Sequence, residues 1–188
     1  NFMASLSRNE DVPVRSFVYP LEQQLERSRW PSGYGNDHFR IKGVKLYMDG
    51  SPYTGGAAFA EPYLNTEVTL KRMKLKPNHS GKVNYSEEDL LQTLTKYHNA
   101  GYQIAIHAQG EIAIQMILNA FTEILEKYPR TDHRHRLEHN ALITNSQIIQ
   151  AQKLGLTLSF FMDHVYYYGE QLPEIVGPDR AARFMPLG

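Results

Sequence analysis

The sequence predicts an α/β protein built on a parallel sheet, and two observations support that fold class. Segments rich in β-branched and aromatic residues alternate with amphipathic helical segments at least four times, which is the pattern of βαβ units. Hydrophobic residues make up 41% of the 188 positions, which is enough for one domain with its own core. We therefore expect residues 1–188 to form a single domain.

Each predicted element has its own local signal. Ser86 is a good N-cap for the helix that follows it, and Gly101 ends that helix. Thr144 and Gln147 have the spacing of a capping box. Strands are predicted at 12–20, 39–50, 102–110, 134–140 and 156–168, helices at 21–30, 86–101, 111–129 and 144–155, a short helix and turn at 177–188, and a long connection at 51–85.

Five strands are too few for a closed (β/α)8 barrel, which needs about 250 residues. The chain is therefore either a smaller open sheet or part of a barrel. Alternation puts Lys45 on a polar face of its strand and His107 on the corresponding face of the next. A parallel strand covered on both sides normally has two apolar faces. A barrel interior that opens into a site at the strand C-terminal ends accounts for the polar face.

The strand at 134–140 supplies a second histidine. If His139 points inward, then His135 and Leu137 do so too, and Arg136 and Glu138 face the helices as a pair of opposite charges. Lys45, His107 and His139 would then face one space. Two imidazoles suit Zn²⁺ or another borderline metal, and a lysine becomes a good ligand if it reacts with CO₂ to form a carbamate. Taken singly, each has a structural alternative: a satisfied core histidine, or a lysine in a salt bridge.

Composition excludes several classes of function. The 20 basic and 20 acidic residues balance, so we expect no nucleic-acid surface. No run approaches 18 apolar residues, so no membrane span is expected. Cysteine is absent, which excludes disulfides and thiolate metal sites. The chain begins with Asn1, so the lack of a signal peptide leaves the compartment open between cytoplasm and periplasm.

Three motifs in order resemble the amidohydrolase superfamily, and in particular the amidohydrolase 3 subfamily with its N-substituted formamide deformylases and exoenzyme-regulator relatives. GVKLYMDGS (43–51), IAIHAQGEIAI (104–114) and RHRLEHN (134–140) are similar to its motifs on strands four, five and six. Glu111 stands where the family usually has Asp. No His-x-His precedes the strand-four motif, and no strand eight follows. We therefore expect an internal fragment, about strands three to seven of a TIM-like barrel.

The resemblance implies a metal-dependent hydrolase that cleaves C–N bonds of amides or cyclic amides through metal-activated water, with Zn²⁺ or another divalent metal. Lys45 would be the carbamate ligand, and His107 and His139 would be the histidine ligands. His164, Asp49 and Tyr63 would lie on the substrate side.

The resemblance also implies what this fragment lacks. The catalytic aspartate of strand eight is absent, so no catalytic residue is assigned and the isolated fragment is expected to be inactive and to bind metal weakly if at all. The partner would be a small amide, and exposed barrel edges would favour self-association. The alternative is a non-catalytic regulatory or ligand-binding protein on the same fold.

Overall fold

A computed structural model describes residues 14–186, and its centre is a set of parallel strands. β2 and β3 together occupy the predicted strand 39–50 and are separated by Lys42. The Lys42 amide donates to the Val18 carbonyl at 2.9 Å, and the Lys45 amide donates to Pro20, so β1 runs beside both. The strands are β1 (Ser16–Val18), β2 (Phe39–Ile41), β3 (Gly43–Tyr47), β4 (Gln103–Ala108), β5 (Arg136–His139) and β6 (Thr157–Phe160).

Because β2 and β3 occupy one predicted strand, the six strands correspond to the five that the sequence predicts, and all of them pair in parallel. β1 pairs with β2, and β3, β4, β5 and β6 pair in that order, all parallel. Positions 12 and 13 of the predicted first strand lie outside the described residues. Chain order equals spatial order, which is how consecutive βα units of a barrel are arranged.

The helices predicted at 21–30, 86–101, 111–129 and 144–155 begin and end close to those positions, and a short helix forms within 177–188, whereas the helix Leu172–Val176 was not predicted. The Ser86 side chain accepts a hydrogen bond from the Asp89 amide, and the Thr144–Gln147 capping box is present. The helices are α1 (Glu22–Ser28), α2 (Glu87–Asn99), α3 (Glu111–Lys127), α4 (Asn145–Lys153), α5 (Asp163–Tyr168), α6 (Leu172–Val176) and α7 (Pro178–Ala182). Residues 187 and 188, at the end of the predicted last helix, lie outside the described part.

The predicted strand 156–168 is wrong beyond Phe160. β6 ends there, Met162 adopts a right-handed helical conformation, and α5 begins at Asp163. Tyr166 and Tyr167 are 84% and 67% exposed, so they have no pleated neighbour to pack against. Aromatic residues favour strands because their side chains pack against neighbours on a sheet, and without such neighbours these residues form a short helix.

The main core lies between one face of the sheet and the helices. Val44 and Leu46 of β3 and Ile104 and Ile106 of β4 are buried on that face, as alternation predicts. They pack in one cluster with apolar residues of α2 and α3, which include Leu94, Ile114, Ile117 and Phe121. The opposite face carries the polar side chains, so the site can only form on the side away from these helices.

The connection 51–85 is an ordered part of the fold. It contains a 3₁₀ turn at Pro52–Thr54 and a π-helical turn at Val68–Arg72. Arg180 of α7 is buried and donates hydrogen bonds to the carbonyls of Glu61 and Pro62. Together with α6 and α7 the connection forms a second apolar cluster that includes Phe59, Tyr63, Leu142, Ile175 and Val176.

The architecture is an α/β fold of parallel strands that matches part of a TIM-like barrel. Within residues 14–186, β6 pairs with no further strand on its outer side. Across the same range, none of the helices combines the length and apolar character needed to cross a bilayer.

Candidate metal centre

His107 and His139 lie side by side at the C-terminal ends of β4 and β5, with ring centroids 4.6 Å apart. Strand register pairs Ala108 with His139, so simple alternation would turn the His139 side chain toward the helices. His139 has φ +82° and Asn140 has φ +54°, and this left-handed backbone carries the ring to the polar face. The side-chain amide of Asn140 donates hydrogen bonds to the backbone carbonyls of Leu137 and Ser159, which fixes the turn.

The predicted facing of β5 is therefore wrong, although its charge pair is confirmed. Leu137 is fully buried in the main core, whereas Glu138 is the register partner of His107 on the polar face. The Arg136 guanidinium contacts the Glu138 carboxylate at 2.8 Å. The error arises because a residue with positive φ breaks the two-residue alternation that the prediction assumed.

Lys45 also reaches the polar face, where its ammonium forms an ion pair with Glu138. The two residues lie on β3 and β5, and the small side chain of Ala105 on β4 leaves room between them. Burial lowers the pKa of Lys45 to about 8, and the positive charge of Arg136 acts in the same direction. The sequence pattern does not indicate Glu138 at the site, because regular alternation along β5 would turn its side chain the other way.

The His107 side chain is buried, the His139 side chain is half-buried, and both rings are electrically neutral. Burial lowers the pKa of His107 to about 4 and that of His139 to about 4, and Lys45 adds to the shift in both. Nε2 of His107, Nδ1 of His139 and Nδ1 of His164 are buried without a hydrogen-bond partner in the described part of the chain. An unpaired buried polar atom costs about 1–3 kcal/mol, so a group that supplied a partner to these three nitrogens would recover that free energy.

The donor set fits a divalent metal. A neutral imidazole is the form in which histidine coordinates a metal. His107 and His139 supply two such nitrogens, and Lys45 lies on the same face. Among residues 14–186, no three His, Asp or Glu side chains form a metal-binding cluster. A metal held by the two imidazoles would therefore need a ligand of another residue type or one from outside this range.

Asp49 is buried beside this centre, and its carboxylate is fully engaged. It accepts hydrogen bonds from the backbone amides of Ala58, Gln109 and Gly110 at 2.9–3.0 Å. One carboxylate oxygen lies 3.6 Å from Nε2 of His107. Burial raises the pKa of Asp49 to about 6, although the three amides act in the opposite direction. Asp49 therefore fixes the turn after β4 and the start of the connection 51–85.

The remaining two predicted site residues occupy different surroundings. The His164 ring lies 6.0 Å from that of His139 and 5.1 Å from that of Tyr53. Tyr63 is only 3% exposed, and its hydroxyl donates to the Ala57 carbonyl within the second apolar cluster. Tyr53, which the sequence analysis did not single out, packs between His164 and Tyr168. The structure thus brings His164, but not Tyr63, to the edge of the histidine pair.

The sequence of this chain is similar to a family model and to two curated proteins. The family model described as "Amidohydrolase family" matches residues 1–188. The chain is 28% identical to "Protein LONG AFTER FAR-RED 3" of Arabidopsis thaliana over 91% of its own length and 27% of the relative's. It is 27% identical to "Putative amidohydrolase YtcJ" of Bacillus subtilis (strain 168), over 78% of this chain and 25% of that protein. The chain thus spans about a quarter of the length of these curated relatives.

Two solved structures have a fold similar to that of this chain. An uncharacterized metal-dependent hydrolase from Pyrococcus horikoshii OT3 superimposes with a TM-score of 0.75 at 26% identity, covering 94% of this chain and 33% of that one. A similar protein from Pyrococcus furiosus gives a TM-score of 0.75 at 24% identity, covering 95% and 35%. With the family model matching along its whole length, this chain belongs to the amidohydrolase family.

Proposed function

We propose that the full-length protein is a metal-dependent hydrolase that cleaves C–N bonds of small amides or cyclic amides, and that this chain holds one metal through His107, His139 and Lys45. The observation that carries the proposal is the pair of neutral imidazoles at the C-terminal strand ends, each with one buried nitrogen that has no hydrogen-bond partner among residues 14–186. Active sites of barrels of this kind lie at that end. When bound, a divalent metal such as Zn²⁺ supplies the Lewis acidity that polarises the scissile carbonyl and activates water.

Lys45 can serve as a ligand only after chemical modification, since an ammonium group has no lone pair. Its neutral amine forms an N–C bond to CO₂ and loses one proton, which yields an anionic carbamate. For this reaction Lys45 must give up its ion pair with Glu138. The Glu138 carboxylate then keeps Arg136 as its positively charged partner. A Lys45→Ala variant of the full-length protein should lose metal and regain part of it when acetate or propionate is added as a substitute carboxylate.

The neighbouring residues position the site and contact the substrate. Asp49 holds the turn that carries His107, through the amides of Gln109 and Gly110. We propose that His164 faces the substrate beyond His139, and that Tyr63 acts indirectly by supporting the connection 51–85. We infer that the 188-residue chain alone binds metal weakly and has no turnover, because no three His, Asp or Glu side chains in residues 14–186 are grouped so that they could hold a metal ion.

The proposal is tested by metal content and amide hydrolysis in the full-length protein. His107→Ala and His139→Ala should both lose the metal and the turnover of a panel of simple and cyclic amides. His38→Ala, at an exposed histidine, is the matched control and should change neither. Metal retained in both site variants would contradict the assigned ligands. Metal binding by the wild-type protein without hydrolysis of any amide would favour the non-catalytic ligand-binding alternative.

A further inference from the structure

A cavity of about 380 Å³ opens beside Lys45, between the start of α1 and the end of β3. Its walls include Glu22, Tyr47, Asn84 and Tyr85 in addition to Lys45. The volume is in the range of small-molecule sites, which is about 300–1,000 Å³. The cavity therefore has the size to receive part of a substrate whose reacting bond lies at the metal centre.

The backbone explains why the cavity lies at this point. Leu21 makes an isolated parallel bridge with Lys45, and the chain then leaves the sheet to begin α1 at Glu22. Tyr47, the last residue of β3, is 47% exposed. Its ring lies 5.2 Å from the His107 ring and 5.1 Å from the Lys45 ammonium. Tyr47 is therefore the wall that the cavity shares with the candidate metal centre.

The charges around the cavity favour a cation. Within the described residues Glu22 forms no direct ion pair; its carboxylate accepts a hydrogen bond from the Tyr85 hydroxyl at 3.2 Å, and Lys96 interacts with it only through a weaker charge interaction. Glu26, one turn later on α1, is paired with Lys96 at 2.7 Å. Lys45 is already paired with Glu138. An unpaired carboxylate flanked by aromatic rings is a favourable place for an organic cation.

Tyr85 holds that carboxylate in place. Burial raises the pKa of Tyr85 to about 12, and the negative charge of Glu22 adds to the shift. The hydroxyl therefore stays protonated and keeps donating to Glu22 across the neutral pH range. The Asn84 side chain donates to the Tyr47 carbonyl, so the wall formed by Tyr47 is fixed as well.

We propose that this cavity binds a positively charged amine substituent of the substrate, with Glu22 as the counter-charge and Tyr47 and Tyr85 at its sides. The proposal rests on the proposed function for the position of the reacting bond, but the binding of the cation itself does not depend on turnover. It narrows the substrate class to amides that carry an ammonium group within reach of the metal centre.

The test is calorimetric binding of benzylammonium to the full-length protein, with benzyl alcohol as the neutral probe. Glu22→Gln should weaken benzylammonium binding by about tenfold, the expected loss of one charge-assisted contact. Glu26→Gln removes the same charge from the same helix and should have less than a twofold effect, by the weakness of exposed pairs. Tyr85→Phe should give a loss smaller than that of Glu22→Gln, because the carboxylate remains but is less well held.

Equal binding of benzylammonium and benzyl alcohol would overturn the proposal, as would equal binding by wild type and Glu22→Gln. The result also separates this proposal from the proposed function. Preferential cation binding without hydrolysis of any amide leaves the subsite standing and refutes the enzyme. Hydrolysis of neutral and cationic amides with equal kcat/KM, unchanged in Glu22→Gln, supports the enzyme and refutes the subsite.

Discussion

Two histidine clusters lie at opposite ends of the strands, and they differ in how their ring nitrogens are satisfied. The upper cluster (His107, His139 and His164) is at the C-terminal ends, and each ring has a buried nitrogen without a partner in the described part. The lower cluster (His98, His133 and His135) is at the N-terminal ends, and each ring nitrogen of its members has a partner.

The bonds of the lower cluster determine its proton positions. Nδ1 of His135 accepts from the Ile104 amide at 3.0 Å, so its Nε2 carries the hydrogen and donates to Nδ1 of His98 at 2.9 Å. Nε2 of His98 then donates to the Tyr128 carbonyl. The rings thus connect β4, β5 and the ends of two helices as neutral side chains.

His133 extends this network to α4. Its Nδ1 accepts from the His135 amide, and its Nε2 donates to the Leu154 carbonyl. Arg130 donates to the carbonyls of His98 and His133 from the same region. The comparison teaches that burial and a depressed pKa, which both clusters share, do not identify a metal ligand. The unpaired nitrogen separates the two clusters, because a ring whose two nitrogens are both hydrogen-bonded has no lone pair left to offer a metal or a substrate.

The largest effect is expected from His135→Leu. The substitution preserves the side-chain volume but leaves the Ile104 amide and Nδ1 of His98 without partners inside the core. We expect the free energy of unfolding to fall by about 2–5 kcal/mol, measured by urea titration. The exposed His38→Leu variant is the control and should lie within about 0.5 kcal/mol of wild type. A loss below 1 kcal/mol for His135→Leu would show that the lower cluster is not structural.

The second prediction is the converse at the upper cluster. His139→Ala in the full-length protein should weaken Zn²⁺ binding by more than the roughly 10- to 100-fold that residues behind a ligand contribute. The metal-free protein should lose little stability, since one buried nitrogen of that ring is already unpaired. Competition with a chelator measures the affinity. The assignment fails if His139→Ala unfolds the metal-free protein as severely as His135→Leu does.

The third prediction uses acid to separate the clusters. Burial lowers the pKa of His135 to about 2, and also lowers the pKa of His98 and His133. Histidine in the unfolded chain titrates near 6.5, so below that pH the unfolded state binds more protons and stability falls as pH falls. Each histidine kept neutral costs up to about 2 kcal/mol at pH 5 relative to pH 7 or above.

Unfolding by urea at pH 7 and pH 5 measures this loss. A His107→Gln, His139→Gln double variant should keep the part of the loss that comes from the lower cluster. If the double variant has the same stability at both pH values, the acid sensitivity belongs to the upper cluster instead.

The smallest effect is expected from His164→Gln. His164 lies 6.0 Å from His139, ring to ring, at the edge of the upper cluster. If His164 faces the substrate, the zinc content of the variant should stay within twofold of wild type while KM rises by several-fold. That rise corresponds to a loss of about 1 kcal/mol of binding free energy that the substrate and the transition state share. Steady-state kinetics of the full-length protein with metal analysis provides both values. Loss of zinc in this variant would move His164 from the substrate to the metal.

Local signals in the sequence were sufficient for most of the fold. Helix caps at Ser86 and Thr144 act within one turn, and the apolar alternation of β3 and β4 reflects burial against helices on one side only. Such signals also placed Lys45 and His107 on the polar face. They failed at residues 161–168, where strand-like side chains meet no partner strand and form α5.

The sequence by itself determined the family, through three motifs in order, and most of the order of the elements, through residue type and short-range periodicity. The candidate ligands follow from the resemblance that those motifs carry. Only the tertiary structure decided which way β5 faces. The positive φ of His139 reverses the alternation, and the Asn140 side chain holds that turn through bonds to β5 itself and to the neighbouring β6. Likewise, which histidines are paired and which are free depends on carbonyls and amides brought together across tens of residues, and no local pattern encodes those distances.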